Sequence, residues 1–186
     1  MFTVSPFRLA RAGRHLRNGG VVAYPTEGVF GLGCDPLNAL AVQTLLQLKD
    51  RPMTKGMILI AADLDQIEPF MEIGGSEVRS RILATWPGPV TWVVPAPKWV
   101  PAWLRGVHSG VAVRVTAHPV AAALCRMFGG PIVSTSANRT GRCPARSVLS
   151  VRRYFTQHEV MLIPGRIGKS PGPTQIFDAN SGKRLR

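Results

Sequence analysis

Apolar positions recur along this chain with two different periods, and the switches between them mark out the elements. Leu9, Ala12, Gly13 and Leu16 return at helical spacing behind Ser5-Pro6, a cap and first-turn pair, and Gly19-Gly20 ends the run. Val21–Tyr24 then reads as a buried strand. Asn38 stands before a second helix whose inner face is Val42, Leu45, Leu46 and Leu48. Met57–Ala62 is a second buried strand, and Asp63 caps a short helix ending near Pro69. Ser76–Trp86 has helical spacing with Val78, Ile82 and Leu83 inward, and Pro87-Gly88-Pro89 stops it. Strands follow at Val90–Val94, Val111–Val115 and Ile132–Ser134, with a helix from Pro119 to Gly129 between the last two. Ser147–Phe155 reads as helix and Val160–Ile163 as strand. Gln175–Phe177 and Arg184–Leu185 flank the hairpin turn Ala179-Asn180-Ser181-Gly182.

Strands interspersed with helices, some joined by hairpins, predict an α/β fold with a mixed sheet. No repeat or linker divides residues 1–186, so a single domain is expected, with Pro95–Pro101 as a surface loop. A chain of 186 residues that is 45% hydrophobic can bury a proper core. Its longest apolar runs are too short to span a bilayer, and Met1-Phe2-Thr3-Val4-Ser5-Pro6 does not begin a signal peptide. A soluble, cytoplasmic protein with no membrane partner is therefore expected.

Charge narrows the picture. Lys and Arg number 23 against 10 Asp and Glu, a net charge of +13. Most of the cations are arginines, whose planar fork suits phosphate. That favours a polyanionic ligand, a nucleotide or a nucleic acid, over a merely solvated surface. Cys34, Cys125 and Cys143 are odd in number and lack CxxC spacing, and His15, His108, His118 and His158 are scattered. No metal site, disulfide framework or catalytic triad is predicted from them.

Four polar segments exceed what a core requires. Tyr24-Pro25-Thr26-Glu27-Gly28-Val29-Phe30-Gly31-Leu32-Gly33 follows a strand, and its glycines would let backbone approach a ligand; the plainer reading is a Gly-rich β-turn. Lys49-Asp50-Arg51-Pro52-Met53-Thr54-Lys55-Gly56 gathers three cations at a helix end. Lys49 alone fits a favourable helix-dipole charge, while Arg51 and Lys55 lie past the helix and suit a triphosphate better. Ser134-Thr135-Ser136-Ala137-Asn138 lies just beyond a strand, where α/β sheets collect ligands, or else forms a Ser/Thr turn. Arg114 interrupts the apolar run Val113–Val115, so it is paired, faces a cleft, or marks an exposed strand face. Gly168-Lys169-Ser170 only imitates a phosphate loop, because Ile163 stands where the first glycine is needed and Pro171 follows.

In this order the segments resemble the YrdC/Sua5/TsaC family of threonylcarbamoyl-AMP synthases. The resemblance rests on Tyr24-Pro25-Thr26-Glu27, Gly31-Leu32-Gly33, Lys49-x-Arg51-Pro52, Trp86-Pro87-Gly88-Pro89-Val90-Thr91, Val113-Arg114-Val115, Ser134-Thr135-Ser136-Ala137-Asn138 and residues 174–186. It covers nearly the whole chain, which stops where the short bacterial form stops. It implies a twisted mixed sheet with flanking helices and a deep basic concave cleft. The implied reaction takes L-threonine, bicarbonate or CO2, and ATP carrying Mg2+, and yields threonylcarbamoyl-AMP and pyrophosphate. TsaD/TsaB/TsaE-type proteins would then carry the product to N6 of adenosine 37 in tRNA. Lys49, Arg51, Ser136 and Asn138 would form the catalytic nucleotide site, with Lys55, Pro144 and Arg186 also near the nucleotide. Thr26, Arg114, Ser134 and Thr174 would hold threonine. No residue is assigned to a metal of the protein's own; Glu27 and Asp50 are the carboxylates that could meet Mg2+. The alternative is a non-catalytic double-stranded RNA or tRNA-binding module, with Arg8, Arg11, Arg14 and Arg17 tracking a phosphate backbone and Arg139, Arg142 and Arg146 as a second cluster. Direct tRNA contact is also compatible with the synthase reading.

Overall fold

The structure is a computed structural model that describes residues 4–156 and 159–186. Residues 1–3 and 157–158, His158 among them, lie outside the described residues. The strands are β1 (Val22–Pro25), β2 (Phe30–Gly33), β3 (Ile58–Ala61), β4 (Val90–Pro95), β5 (Gly110–Val115), β6 (Ile132–Ser136), β7 (Met161–Leu162) and β8 (Gln175–Asp178). They form one mixed sheet in the order β7-β1-β2-β6-β3-β5-β4-β8. The pairs β1/β7, β3/β5 and β4/β8 are parallel and the others antiparallel. The helices are α1 (Pro6–Arg17), α2 (Ala39–Lys49), α3 (Leu64–Ile67), α4 (Ser76–Leu83), α5 (Ala102–Arg105), α6 (Pro119–Phe128) and α7 (Val148–Tyr154).

Local chemistry starts these helices where the sequence placed them. Side chains of Ser5, Asn38, Asp63 and Ser147 each accept a hydrogen bond from the backbone N–H three residues on. These bonds satisfy donors that a helix start leaves unpaired. The inner face of α1 is buried at Leu9, Ala12, Gly13 and Leu16.

Three readings need correction. Phe30–Gly33, taken with the loop after β1, is a fully buried strand paired antiparallel with β1. Its glycines broke the apolar run that signals a strand. Ser134–Ser136 likewise belongs to strand β6 rather than to a loop beyond it. Helix α4 ends at Leu83, which is 40% exposed rather than inward. Trp86 turns back instead, its indole Nε1 donating to the Val90 carbonyl at 2.9 Å. The four-residue helix α5 was too short to leave a periodic signal.

Burial explains why a cleft forms. One sheet face carries Leu32, Val133, Leu59, Val113 and Trp92 into the main core, beside α2, α4 and α7 residues such as Val42, Leu45, Ile82 and Val151. The opposite face is covered by α1 and α6 only where Val22, Tyr24, Ile60 and Ile132 meet Leu9, Leu16, Leu124 and Cys125. Strand register places Gly31 beside Ser136, and Ser134, Ile58 and Ala112 in one row, on that same face. This second half lies outside the cluster that α1 and α6 bury, and its residues line a cavity.

Candidate active site

The cavity has a volume of about 780 Å³, within the range of small-molecule sites. Thr26, Lys49, Arg51, Lys55, Arg114, Ser134, Ser136, Asn138, Thr174 and Arg186 all line it. Tertiary folding thus gathers segments up to 160 positions apart, from Thr26 to Arg186. Pro144 is the exception among the expected site residues: it is half-buried next to Ala145 and is not part of the lining. Arg105, His108 and Asp178 also line the cavity and carried no recognisable sequence signal.

Lys49 ends α2 but does not point into solvent. It is 3% exposed, and its ammonium donates to the carbonyls of Ser136 (2.5 Å) and Asn138 (2.8 Å) and to Asn138 Oδ1 (3.4 Å). A helix-dipole charge would not be drawn inside this way. The lysine instead ties the α2 end to the turn after β6. Ser136 Oγ donates to Asn138 Oδ1 at 2.6 Å, while Asn138 Nδ2 donates to the carbonyls of Arg139 (3.0 Å) and Arg142 (2.6 Å). The Ser-x-Asn polar atoms are therefore largely engaged with one another and with the loop that follows. Direct contact between Lys49 and a phosphate requires one of its three bonds to open.

Arg51 lies beyond the helix and donates to the Gly56 carbonyl at 3.1 Å, while its buried Nε has no partner. Burial pushes the Lys49 ammonium down to about 8, and the Arg51 charge adds to the effect. Desolvation also lowers Arg51 and Arg186, with a further contribution from Arg186 on Arg51 and from Arg114 on Arg186. Like charges held this close, short of counter-charge, favour an anionic ligand.

The buried Arg114 faces Glu27 across 3.4 Å, with side chains 5% and 9% exposed. Thr116 Oγ1 donates to Glu27 Oε1 at 2.6 Å, and the Ala117 N–H donates to it at 3.1 Å. Burial alone would raise the Glu27 carboxyl, but Arg114 and the Thr116 hydrogen bond outweigh it and leave it below the ordinary value. Glu27 is thus committed to Arg114 and the end of β5 rather than open to Mg2+. The other candidate carboxylate, Asp50, lies 3.7 Å from Arg139 on the surface. Arg114 Nε is buried without a partner, a donor waiting for an acceptor.

Thr26 is buried and donates its hydroxyl to the Val29 carbonyl at 2.7 Å. Thr174 is joined at 3.1 Å to the fully buried Thr91 hydroxyl, and Arg186 donates to the Thr174 carbonyl at 3.2 Å. The segment that imitated a phosphate loop has a different task. Gly168 N–H and Ser170 N–H donate to the carbonyls of Thr26 (2.9 Å) and Glu27 (3.0 Å), so residues 163–174 hold the Thr26–Gly28 loop in place. Gly28 packs against the Gly172 carbonyl so closely that a Cβ would collide with it.

A family model named Sua5/YciO/YrdC, and described as telomere recombination, matches residues 14–186. A threonylcarbamoyl-AMP synthase from Methylococcus capsulatus is 54% identical over 183 residues, covering 98% of each chain. Another from Halorhodospira halophila is 56% identical over 181 residues, covering 97% of this chain and 95% of its own. Among solved structures, P. abyssi Sua5 complexed with L-threonine is 30% identical with a TM-score of 0.86. The match covers 95% of this chain and 52% of that one, so the chain spans about half the length of that Sua5. The chain belongs to the Sua5/YciO/YrdC family.

Proposed function

We propose that this protein is a threonylcarbamoyl-AMP synthase. It takes L-threonine, bicarbonate or CO2, and ATP with its Mg2+, and releases L-threonylcarbamoyladenylate and pyrophosphate. The observation that carries this reading is the meeting in one cavity of two different subsites: the Lys49, Arg51, Lys55 and Arg186 cations on one hand, and Arg114 with the Thr26, Ser134 and Thr174 hydroxyls on the other. The first group suits a triphosphate and the second an amino acid. Relatives above 50% identity over nearly their full length are named for this activity.

The chemistry follows from the lining. Threonine's neutral amine attacks the carbon of CO2 and its nitrogen gives up a proton, or attacks bicarbonate with loss of water, giving an N-carboxylate. An oxygen of that carboxylate attacks the α-phosphorus, the bond to the bridging oxygen breaks, and pyrophosphate leaves with the electron pair. Negative charge grows on phosphoryl and leaving oxygens, which preorganised cations stabilise. Holding both substrates in one cavity supplies proximity. Arg51 and Arg186 contact phosphates directly, whereas Lys49 secures the Ser136–Asn138 turn and adds its charge at short range. No protein nucleophile is required. The product serves N6-threonylcarbamoylation of adenosine 37 in tRNA, through transfer proteins of the TsaD/TsaB/TsaE type in the cytoplasm. The test is incubation with ATP, bicarbonate and labelled threonine. Labelled threonylcarbamoyl-AMP with matching pyrophosphate is expected, and pyrophosphate release indifferent to threonine refutes the reading.

Direct tRNA contact is favoured by a separate observation. Arg8, Arg11 and Arg14 on α1 and Arg152 on α7 line a second cavity of about 570 Å³. None of the ion pairs among the described residues uses them. Arg17 does not join this row, because it donates to the carbonyls of Met127 and Phe128 and pins α1 to α6. A row of uncompensated arginines suits a phosphate backbone.

A further inference from the structure

We propose that Tyr24 is a positioning residue that frees the Ser134 hydroxyl proton for donation toward the substrate carboxylate. This rests on the synthase reading above and deepens it. Tyr24 is fully buried on β1, two strands away from Ser134 on β6. Its hydroxyl nevertheless reaches Ser134 Oγ at 2.9 Å. The intervening strand β2 lets it pass. Tyr24 pairs with Gly31, and a Cβ there would lie 3.2 Å from the ring carbon Cζ. A Cβ on Gly33 would lie 3.0 Å from Cε1 and 3.2 Å from the Tyr24 hydroxyl. The glycines of Gly31-Leu32-Gly33 therefore make room for a tyrosine ring lying across their strand.

The direction of the hydrogen bond follows from burial. Ser134 Oγ is the partner of the Tyr24 hydroxyl, and burial keeps that phenol protonated against the opposing pull of the Ser134 hydrogen bond and Arg114. A buried hydroxyl that did not donate here would leave its proton without an acceptor. Ser134 therefore accepts from Tyr24. Its own proton has no acceptor among the described residues, and Ser134 lines the cavity, as does Arg114. Arg114 in turn offers a buried Nε with no partner. A serine whose proton is free to donate, on the wall that carries an arginine with a spare donor, matches a carboxylate, which accepts more strongly than a neutral carbonyl.

The test is a double-mutant cycle of Tyr24→Phe and Ser134→Ala, read by calorimetric binding of L-threonine and L-threoninamide and by the KM for each substrate. Tyr24→Phe keeps the ring, so the glycine gap stays filled. It should weaken threonine binding about two- to tenfold, the worth of one hydrogen bond, with the KM for ATP unchanged. Preference for threonine over threoninamide should narrow, because the charged carboxylate accepts more strongly than the carboxamide carbonyl. In the Ser134→Ala background the same change should have no further effect on threonine binding. Equal losses in both backgrounds, or a loss confined to ATP, would overturn the inference while leaving the synthase reading intact. Failure of the unmutated protein to bind threonine would overturn both.

Discussion

Glu27→Ala isolates the buried ion pair on which the amino-acid subsite rests. The substitution leaves the Arg114 guanidinium, 5% exposed, without its countercharge, and deprives Thr116 Oγ1 and the Ala117 N–H of their acceptor. Removing one member of a buried pair costs about 3–5 kcal/mol. The 3.4 Å separation is longer than an optimal charge-assisted bond, which places the loss near the lower end, about 3 kcal/mol. For a chain of this size each kcal/mol moves the melting temperature by about 2–4 °C, so a fall of roughly 6–12 °C is expected. Thermal unfolding followed by circular dichroism at neutral pH measures it. Glu27→Ala combined with Arg114→Met should recover part of the loss, since no orphaned charge remains. The pH dependence has a defined sign. The Glu27 carboxyl is held below its ordinary value, so the stabilisation is complete above the unfolded-state pKa of about 4.3 and disappears as pH falls through the lower folded-state value. The difference in melting temperature between unmutated protein and variant should therefore shrink only in acid. A variant melting within about 2 °C of the unmutated protein, or a double variant melting lower still, would refute the argument.

Three further outcomes are expected. Because burial brings the Lys49 ammonium down to about 8, kcat/KM for ATP should fall on an alkaline limb with a pKa near 8, and a flat profile to pH 9.5 would remove Lys49's charge from the mechanism. Gly28→Ala places a Cβ against the Gly172 carbonyl, and relief of that clash must shift residues 163–174 away from the Thr26 loop. A loss of about 1–3 kcal/mol in denaturant unfolding and weaker threonine binding are expected, and an unchanged midpoint would count against residues 163–174 holding the Thr26–Gly28 loop. Arg11→Glu with Arg14→Glu should weaken tRNA binding and lower the slope of log K against log salt by about two, whereas an unchanged slope would place the RNA elsewhere.

Much of the site was legible because its chemistry is carried by residue types a core does not need. Lys49, Arg51, Arg114, Ser134 and Asn138 stood out from their surroundings, and all of them line the cavity. Their working relations were not legible. Lys49 looked like a helix-end charge until its ammonium was seen to hold the turn at Ser136 and Asn138 from 87 and 89 residues away. Glu27 could be read as a free carboxylate until Arg114 and Thr116 were found on it. Pro144, carried over with its motif, sits beside the cleft lining rather than in it.

The sequence alone determined the capped helices, the strands with unbroken apolar runs and the identity of the polar segments, because helix caps and apolar spacing act between residues a few positions apart. Ser5, Asn38 and Asp63 cap their helices by contacts that span three residues. Only the tertiary structure decided which sheet face stays open. That depends on α1 and α6 covering half of it, and on strand order bringing β2, β6, β3 and β5 side by side. The Gly31-Leu32-Gly33 segment shows the difference. In sequence it reads as a place for a ligand to approach backbone, and in the fold the missing side chains admit Tyr24 while Gly31 also lines the cavity. A glycine signals that something comes close, and the identity of that neighbour is fixed by long-range strand pairing that local spacing does not encode.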